Sequence, residues 1–307
     1  MKDTINSFIQ EANKSVLGKD HEVKLALACF LTHGHLLIED VPGVGKTTFA
    51  KTLAKLCGLS FARVQFTNDL MPADLLGMQI YSAKEEKFQM IPGPIFHQFI
   101  LADELNRGTP KTQSSLLEAM EEKQVTLDGN TISLPEPFFV IATQNPRHQI
   151  GTHLLPESQL DRFMMKIKLG YPASDFEKQM LASDNHQEAL QTTKPVFNDK
   201  SLIEAFKLTQ EVHVAEEIYQ YVLNLLHLSR TNNHFRGLSP RAGKDIIKAS
   251  KAWAMIHHRK HVLPDDVQAI LPATISHRLA TLQGLSQSEE LQLCQNLIQS
   301  VTVDGLI

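Results

Sequence analysis

Cysteine is scarce in this chain: Cys29, Cys57 and Cys294 are the only three among 307 residues. They are scattered without metal-binding or redox spacing, and an odd number does not suit a disulfide framework. A disulfide-stapled scaffold is excluded, and a reducing cytoplasm is the expected location. Long apolar runs are missing as well, since no stretch of about 18 apolar residues occurs that would span a membrane. The opening MKDTINSFIQEANK lacks the apolar core of a signal peptide, so a soluble, cytoplasmic protein without a membrane partner is expected. Positive charge is not in excess either. With 30 Lys and Arg against 34 Asp and Glu, the formal charge is -4. No basic stripe is available to neutralise a phosphate backbone, and nucleic acid is not an expected partner. Internal repeats and low-complexity segments are also absent.

What is present is enough chain, with 42% hydrophobic residues, for one large domain or two ordinary ones. Between residues 35 and 171 short apolar runs alternate with helical patterns, as in a parallel sheet covered by helices. The predicted strands are HLLIED (35–40), FARVQF (61–66), FHQFILAD (96–103), FFVIATQN (138–145) and FMMKIKL (163–169). Their continuous apolar character fits strands buried on both faces. MQIYSAKEEKFQMI (78–91) and VTLDGNTISL (125–134) each read as two short strands around a turn, the second with Asp128-Gly129 at its tip. After Tyr171-Pro172 strands give way to helical periodicity. The chain therefore divides into an α/β core, residues 1–172, and an all-helical domain, residues 173–307, with the boundary near Pro172 to Asp175.

The stretch HLLIEDVPGVGKTTFAKTLAKLCGL (35–59) matches G-x-x-x-x-G-K-[ST] except that Asp40 stands where the first glycine is usual. It lies between a predicted strand and a predicted helix, as that motif requires. Pro42, Gly43, Val44, Gly45, Lys46, Thr47 and Thr48 form the turn and the helix start. Gly43 and Gly45 permit backbone angles that aim successive N–H groups at an anion, to which the helix start adds its partial positive charge. Lys46 is placed to reach the β and γ phosphates of ATP, and Thr47 to ligate magnesium. Asp40 either crowds the phosphate or turns its side chain away; the second is favoured, because the phosphate-facing amides lie at 43–47.

FILADELNR (99–107) delivers Asp103 and Glu104 at the C-terminal end of a strand, where parallel sheets present ligand-binding residues. Asp103 is expected to hold Mg2+, usually through water, and Glu104 to polarise a water for attack on the γ-phosphate. The following strand ends in Asn145, at the same sheet edge and placed to orient that water. GLSPRAG (237–243) offers Ser239 as an N-cap and Pro240 as the first helical residue, which puts Arg241 on an opening helical turn. The basic run His257 to His261 sits at a helix C-terminus, where it favours the dipole and needs no metal.

Together these pieces resemble the AAA+ ATPases, and more narrowly the MoxR family. The most specific stretch is ADELNRGTPKTQSSLLEAMEEKQVTLDG (102–129), joined by GPIF (93–96), ATQNP (142–146), LPESQLDRF (155–163) and GLSPRA (237–242). The resemblance covers most of residues 16–280, and the Glu-Asp before Pro-Gly is common family usage. It implies an AAA+ P-loop core, a parallel five-stranded sheet flanked by helices and carrying inserted hairpins, followed by a C-terminal all-α lid. By the same resemblance the 78–91 hairpin matches the insert in helix 2 and the 125–134 hairpin matches the one before the first sensor, both projecting from a ring toward a partner. Arg162 matches the arginine finger that reaches a nucleotide on a neighbouring subunit. Arg241 matches the second sensor, which would touch the γ-phosphate and couple nucleotide state to the angle between lid and core. Val16, Leu17 and Gly18, within VLGKD (16–20), occupy the place of the adenine cradle. Arg147 and His148 stand where relatives often carry acidic or amide residues, which puts an inherited partner contact in doubt.

The resemblance further implies a homo-oligomeric ring, a hexamer, that works with a von Willebrand factor A (VWA) domain adaptor on a protein client. Two other classes stay open at this point. A nucleotide-gated scaffold with negligible turnover is disfavoured by Glu104 and Arg162, and a DNA-translocating motor by the acidic balance.

Overall fold

In the computed structural model the described residues are 1–145, 153, 155–172, 174–182, 192–231, 237–279 and 287–301. Arg147 and His148 lie outside them. Helices α1 (Lys2–Ser15) and α2 (Asp20–Leu31) lead into β1 (Leu36–Glu39), α3 (Lys46–Cys57), β2 (Phe61–Gln65) and α4 (Pro72–Leu76). A hairpin, β3 (Gly77–Ser82) and β4 (Lys87–Pro92), is followed by β5 (Phe99–Asp103) and α5 (Pro110–Glu122). A second hairpin, β6 (Gln124–Leu127) and β7 (Asn130–Ser133), precedes β8 (Phe139–Gln144), the short helix α6 (Glu157–Leu160) and β9 (Met165–Ile167). The rest is helical: α7 (Ser174–Ala182), α8 (Asp199–Glu211), α9 (Glu216–Thr231), α10 (Pro240–Ile256), α11 (Pro264–Leu279) and α12 (Gln287–Gln299).

Five strands form one parallel sheet in the order β2-β5-β8-β1-β9, with Leu36 opposite Ile141 and Met165 in the centre. Side chains alternate across it, so each strand serves two cores. Leu36, Ile38, Phe99 and Leu101 join α1, α2, α3 and the helical second half on one face. Leu37, Ile100 and Ala102 join α5 on the other. Burial on both faces is why β1, β5 and β8 read as unbroken apolar runs, whereas the edge strand β2, expected to be buried in the same way, leaves Arg63 and Gln65 exposed. The helical half shares the first of these clusters; α10 packs on α2, and α11 packs on β9.

The expected strands are present with shorter ends. Pro94–Phe96 forms a 3-10 turn, so β5 starts only at Phe99. Both hairpins occur, and Asp128 and Gly129 turn the second with φ values of 48° and 82°. Residues 205–230 fall in two helices, α8 and α9. They part at Val212–Val214, where His213 N donates to Lys260 O at 2.9 Å and Val262 N to His213 O at 3.0 Å. Cys29, Cys57 and Cys294 are free and buried.

Candidate ATP site

The turn after β1 begins with Asp40, whose carboxylate is buried and faces away from the glycines. Its Oδ1 accepts from Val41 N at 2.8 Å, and its Oδ2 accepts from Leu169 N at 2.9 Å and Gly170 N at 2.6 Å. Three backbone amides satisfy a charge that desolvation would otherwise penalise. Asp40 thus ties the turn to the segment that leaves β9. Beyond it, Pro42, Gly43 and Gly45 are exposed, and Val44, Thr47 and Thr48 are half-buried. Gly43 and Gly45 both have φ of 88°, and an added Cβ on either would meet nothing within 4 Å. The glycines are therefore required by backbone angle, and the hollow they border is open. Gly45 caps the 12-residue α3, so unpaired N–H groups at its first turn face that hollow, a fit for phosphate oxygens.

Lys46 is buried at the floor of the turn. Its Nζ donates to Asp40 O at 2.6 Å, Val41 O at 3.3 Å and Asn145 Oδ1 at 3.3 Å. Burial holds its ammonium below the ordinary lysine range, although Asp40, Asp103 and Glu104 pull the other way.

The carboxylates arrive from β5. Asp103 Oδ1 accepts from Thr143 Oγ1 at 2.6 Å, and Oδ2 accepts from Arg63 Nε at 3.1 Å and Nη2 at 2.7 Å. Glu104 stands in the left-handed region, with φ of 55°, which costs a residue with a Cβ about 1 kcal/mol or more. That bend sends its amide to Thr143 Oγ1 at 2.9 Å and turns the chain out of the strand. Its Oε1 accepts from Asn145 Nδ2 at 3.3 Å, and its Oε2 from Gln65 Nε2 at 2.9 Å and Arg107 Nη1 at 2.8 Å. Lys46, Asp103, Glu104 and Asn145 thus converge at the C-terminal edge of the sheet. The donor set suits a hard divalent cation held by one carboxylate, a threonine hydroxyl and water.

Val16–Gly18 lies at the same edge. Lys19 Nζ donates to Tyr171 O at 3.1 Å, and a Cβ on Gly18, whose φ is 70°, would come within 2.6 Å of the Phe176 ring. Tyr171 directly follows Gly170, which is bound to Asp40.

Arg162 and Arg241 are elsewhere. Met164 N donates to His35 O at 2.9 Å and His35 Nε2 lies 3.2 Å from Met120 O, so Arg162 and the last turn of α5 gather where β1 begins. The phosphate turn is at the other end of that strand, about 16 Å of extended chain away. At the N-terminal edge Glu121 Oε2 is 2.9 Å from Arg162 Nε and Glu121 Oε1 is 3.0 Å from Arg241 Nη1. The expectation that Arg241 couples lid to core through the γ-phosphate is corrected for a single chain: its lid packs behind the sheet, on α2 and β9, not over the phosphate turn.

The family described as "ATPase family associated with various cellular activities (AAA)" matches residues 35–165, and "AAA lid domain" matches 235–293. The chain is 36% identical to "Chaperone MoxR1" of Mycobacterium tuberculosis, over 90% of this chain and 75% of that protein. It belongs to the MoxR family of AAA+ ATPases. This MoxR-family chain is also 44% identical to Bacillus subtilis YeaC, a protein named as uncharacterized, over 90% of the chain and 86% of YeaC. A crystal structure from Cytophaga hutchinsonii, of a protein provisionally assigned as an ATPase, superposes with a TM-score of 0.88 at 34% identity, covering 98% of this chain and 95% of that one.

Several side chains that shape this MoxR-family site carry no motif of their own. Arg63, Gln65 and Thr143 reach the carboxylates from neighbouring strands, and only the register of β2, β5 and β8 aligns them. Thr143 lies within ATQNP, two residues before Asn145, where the alternation of a strand could have marked it. Glu121 sits within a charged helix end, EAMEEK, and nothing local separates it from Glu122. The histidines of the 257–261 run diverge: His257 Nδ1 lies 2.9 Å from Trp253 O, and His258 Nε2 lies 3.1 Å from Asn6 Oδ1.

Proposed function

We propose that this MoxR-family ATPase hydrolyses ATP with Mg2+ and, as a hexameric ring, uses the energy to remodel or mature a protein client presented by a VWA-domain adaptor. The reading is carried by Asn145, which bridges Lys46 and Glu104 at 3.3 Å each, directly behind an open glycine turn. Such a bridge brings a phosphate-binding cation and a water-activating carboxylate to one point.

Amides from Pro42 through Thr48, those after the proline donating, bind the triphosphate, and Lys46 leaves its carbonyl partners to meet the β and γ oxygens. Thr47 and Asp103 hold magnesium, which when bound neutralises phosphate charge. Arg63 and Thr143 fix the Asp103 carboxylate. Glu104 takes the proton of the attacking water, oriented by Asn145, and Gln65 and Arg107 hold its other oxygen in place. Val16, Leu17 and Gly18, with Phe176, flank the adenine. Arg162 and Arg241 act on the nucleotide of a neighbouring copy, where a finger of this kind raises phosphoryl transfer by roughly 10³ to 10⁵.

The first hairpin supports a protein client. Ile80, Tyr81, Phe88 and Ile91 are between 45% and 67% exposed on it, more apolar surface than two short strands need for themselves. Among the described residues no helix is long and apolar enough to cross a membrane.

Turnover assayed over a concentration series, with Glu104→Gln beside the parent, tests the proposal. Activity per subunit is expected to rise with concentration and to vanish in the variant. Equal turnover in both proteins, or no ATP uptake by the parent, overturns it.

A further inference from the structure

Arg162 and Arg241 come from elements far apart in the chain and end on the same carboxylate. Glu121 gives one oxygen to each, Oε2 to Arg162 Nε at 2.9 Å and Oε1 to Arg241 Nη1 at 3.0 Å. Two guanidinium groups so close would repel; the shared carboxylate offsets that and sets the spacing between them. Neither arginine uses both terminal nitrogens on Glu121, so each keeps donors for an anion.

The backbones behind the two arginines are also joined. Asp161, next to Arg162, lies 2.8 Å from Arg278 Nε, and Ser239 Oγ donates to its two oxygens at 3.4 and 3.3 Å. Ser239 caps the helix that carries Arg241, accepting from Ala242 N at 3.1 Å. Arg278, with its side chain 4% exposed, also reaches Asp245 Oδ2 at 2.6 Å. At the base of the pair Arg278 and Asp245 are 4% and 11% exposed and cross-tied to the half-buried Asp161, whereas Glu121, Arg162 and Arg241 are 38%, 29% and 39% exposed. A rigid mount with exposed cationic tips is what presentation to an external anion requires. An isolated surface ion pair needs no such mount.

We propose that Glu121 is a positioning residue that presents Arg162 and Arg241 as one paired cationic edge to the triphosphate bound by a second copy of this chain. The proposal rests on the ATPase reading above.

Glu121→Gln keeps the shape but supplies one acceptor and one donor, so it cannot receive both arginines. ATP affinity of dilute subunits and the thermal midpoint are expected to match the parent, while kcat of the assembled protein falls about tenfold or more, the scale set by a misplaced positioning contact. Co-expression with separate tags and purification through both gives mixed assemblies. Glu104→Gln subunits, unable to hydrolyse but with their arginines paired, are expected to restore turnover at the intact sites of Glu121→Gln neighbours; subunits carrying both changes are not. A structural defect confined to the Glu121→Gln subunit would not be rescued by an inactive partner. Parental kcat in Glu121→Gln, or equal turnover from the two mixed assemblies, overturns the proposal. If the parent itself shows no ATPase activity, it is the functional reading that fails.

Discussion

Asn145 donates its side-chain N–H to Glu104 Oε1 at 3.3 Å while its own oxygen accepts from Lys46. The amide is 5% exposed and reads two charges of opposite sign at once. The backbone oxygen of Asn145 in turn accepts from Asn106 Nδ2 at 3.3 Å. Shortening this side chain removes both contacts without adding a charge. Asn145→Ala is therefore expected to leave magnesium-ATP affinity within a few-fold and to lower kcat by about 10² or more, the lower range for a general-base arrangement. Single-turnover kinetics with separate binding titration checks it, and a loss confined to affinity counts against the assignment.

Gly45 isolates backbone angle from space. An added Cβ meets nothing, yet φ is 88°, so Gly45→Ala is expected to cost about 1 kcal/mol in stability from conformation alone. Nucleotide affinity should fall further, because relaxing that angle turns the amides of the first helical turn. Denaturation and calorimetry on the same variant separate the two effects; unchanged ATP affinity would contradict the phosphate cradle.

His35 makes the fold sensitive to acid. Its Nδ1 accepts from Val140 N at 3.1 Å, and burial lowers its pKa to about 4. The neutral form is favoured in the folded state, so its contribution is whole above the unfolded value of about 6.5 and is lost as pH falls from there toward 4. Over that window it amounts to about 3 kcal/mol. His35→Gln can reproduce one donor and one acceptor, and the gap in stability between parent and variant is expected to narrow or reverse by that amount on going from pH 7 to pH 4. A constant gap would refute the assignment.

Arg278 joins the half-buried Asp161 and the buried Asp245, and removing it strands the Asp245 carboxylate. Arg278→Met is expected to destabilise by about 3–5 kcal/mol at neutral pH. Burial already raises the Asp245 carboxyl above the usual range despite Arg278, so the variant should regain part of the loss in acid, where Asp245 protonates. Urea midpoints at two pH values measure this. A cost under about 1 kcal/mol would show the group to be dispensable.

Much of the nucleotide edge was legible because its information is local. Gly43, Gly45, Lys46 and Thr47 act through neighbouring peptide units, and Asp103, Glu104 and Asn145 each end an apolar run whose direction follows from parallel pairing. Asp40 was legible only as a question; its answer needed Leu169 and Gly170, brought beside it by β9. The helix break at Val212 has no local signal because the apolar periodicity continues across it, and only the pairing of His213 with the 260–262 segment shows why the chain turns there.

Sequence alone determined the strand, glycine turn and helix around Lys46, the order of the strands along the chain and the family, since each depends on residues adjacent in the chain or on period. Only the tertiary structure decided which side of the sheet the lid occupies, and with it the fate of Arg241. Packing α10 and α11 on α2 and β9 buries a continuous apolar cluster, and that burial carries Arg241 to Arg162 and Glu121, a full strand length from the glycines beside Lys46.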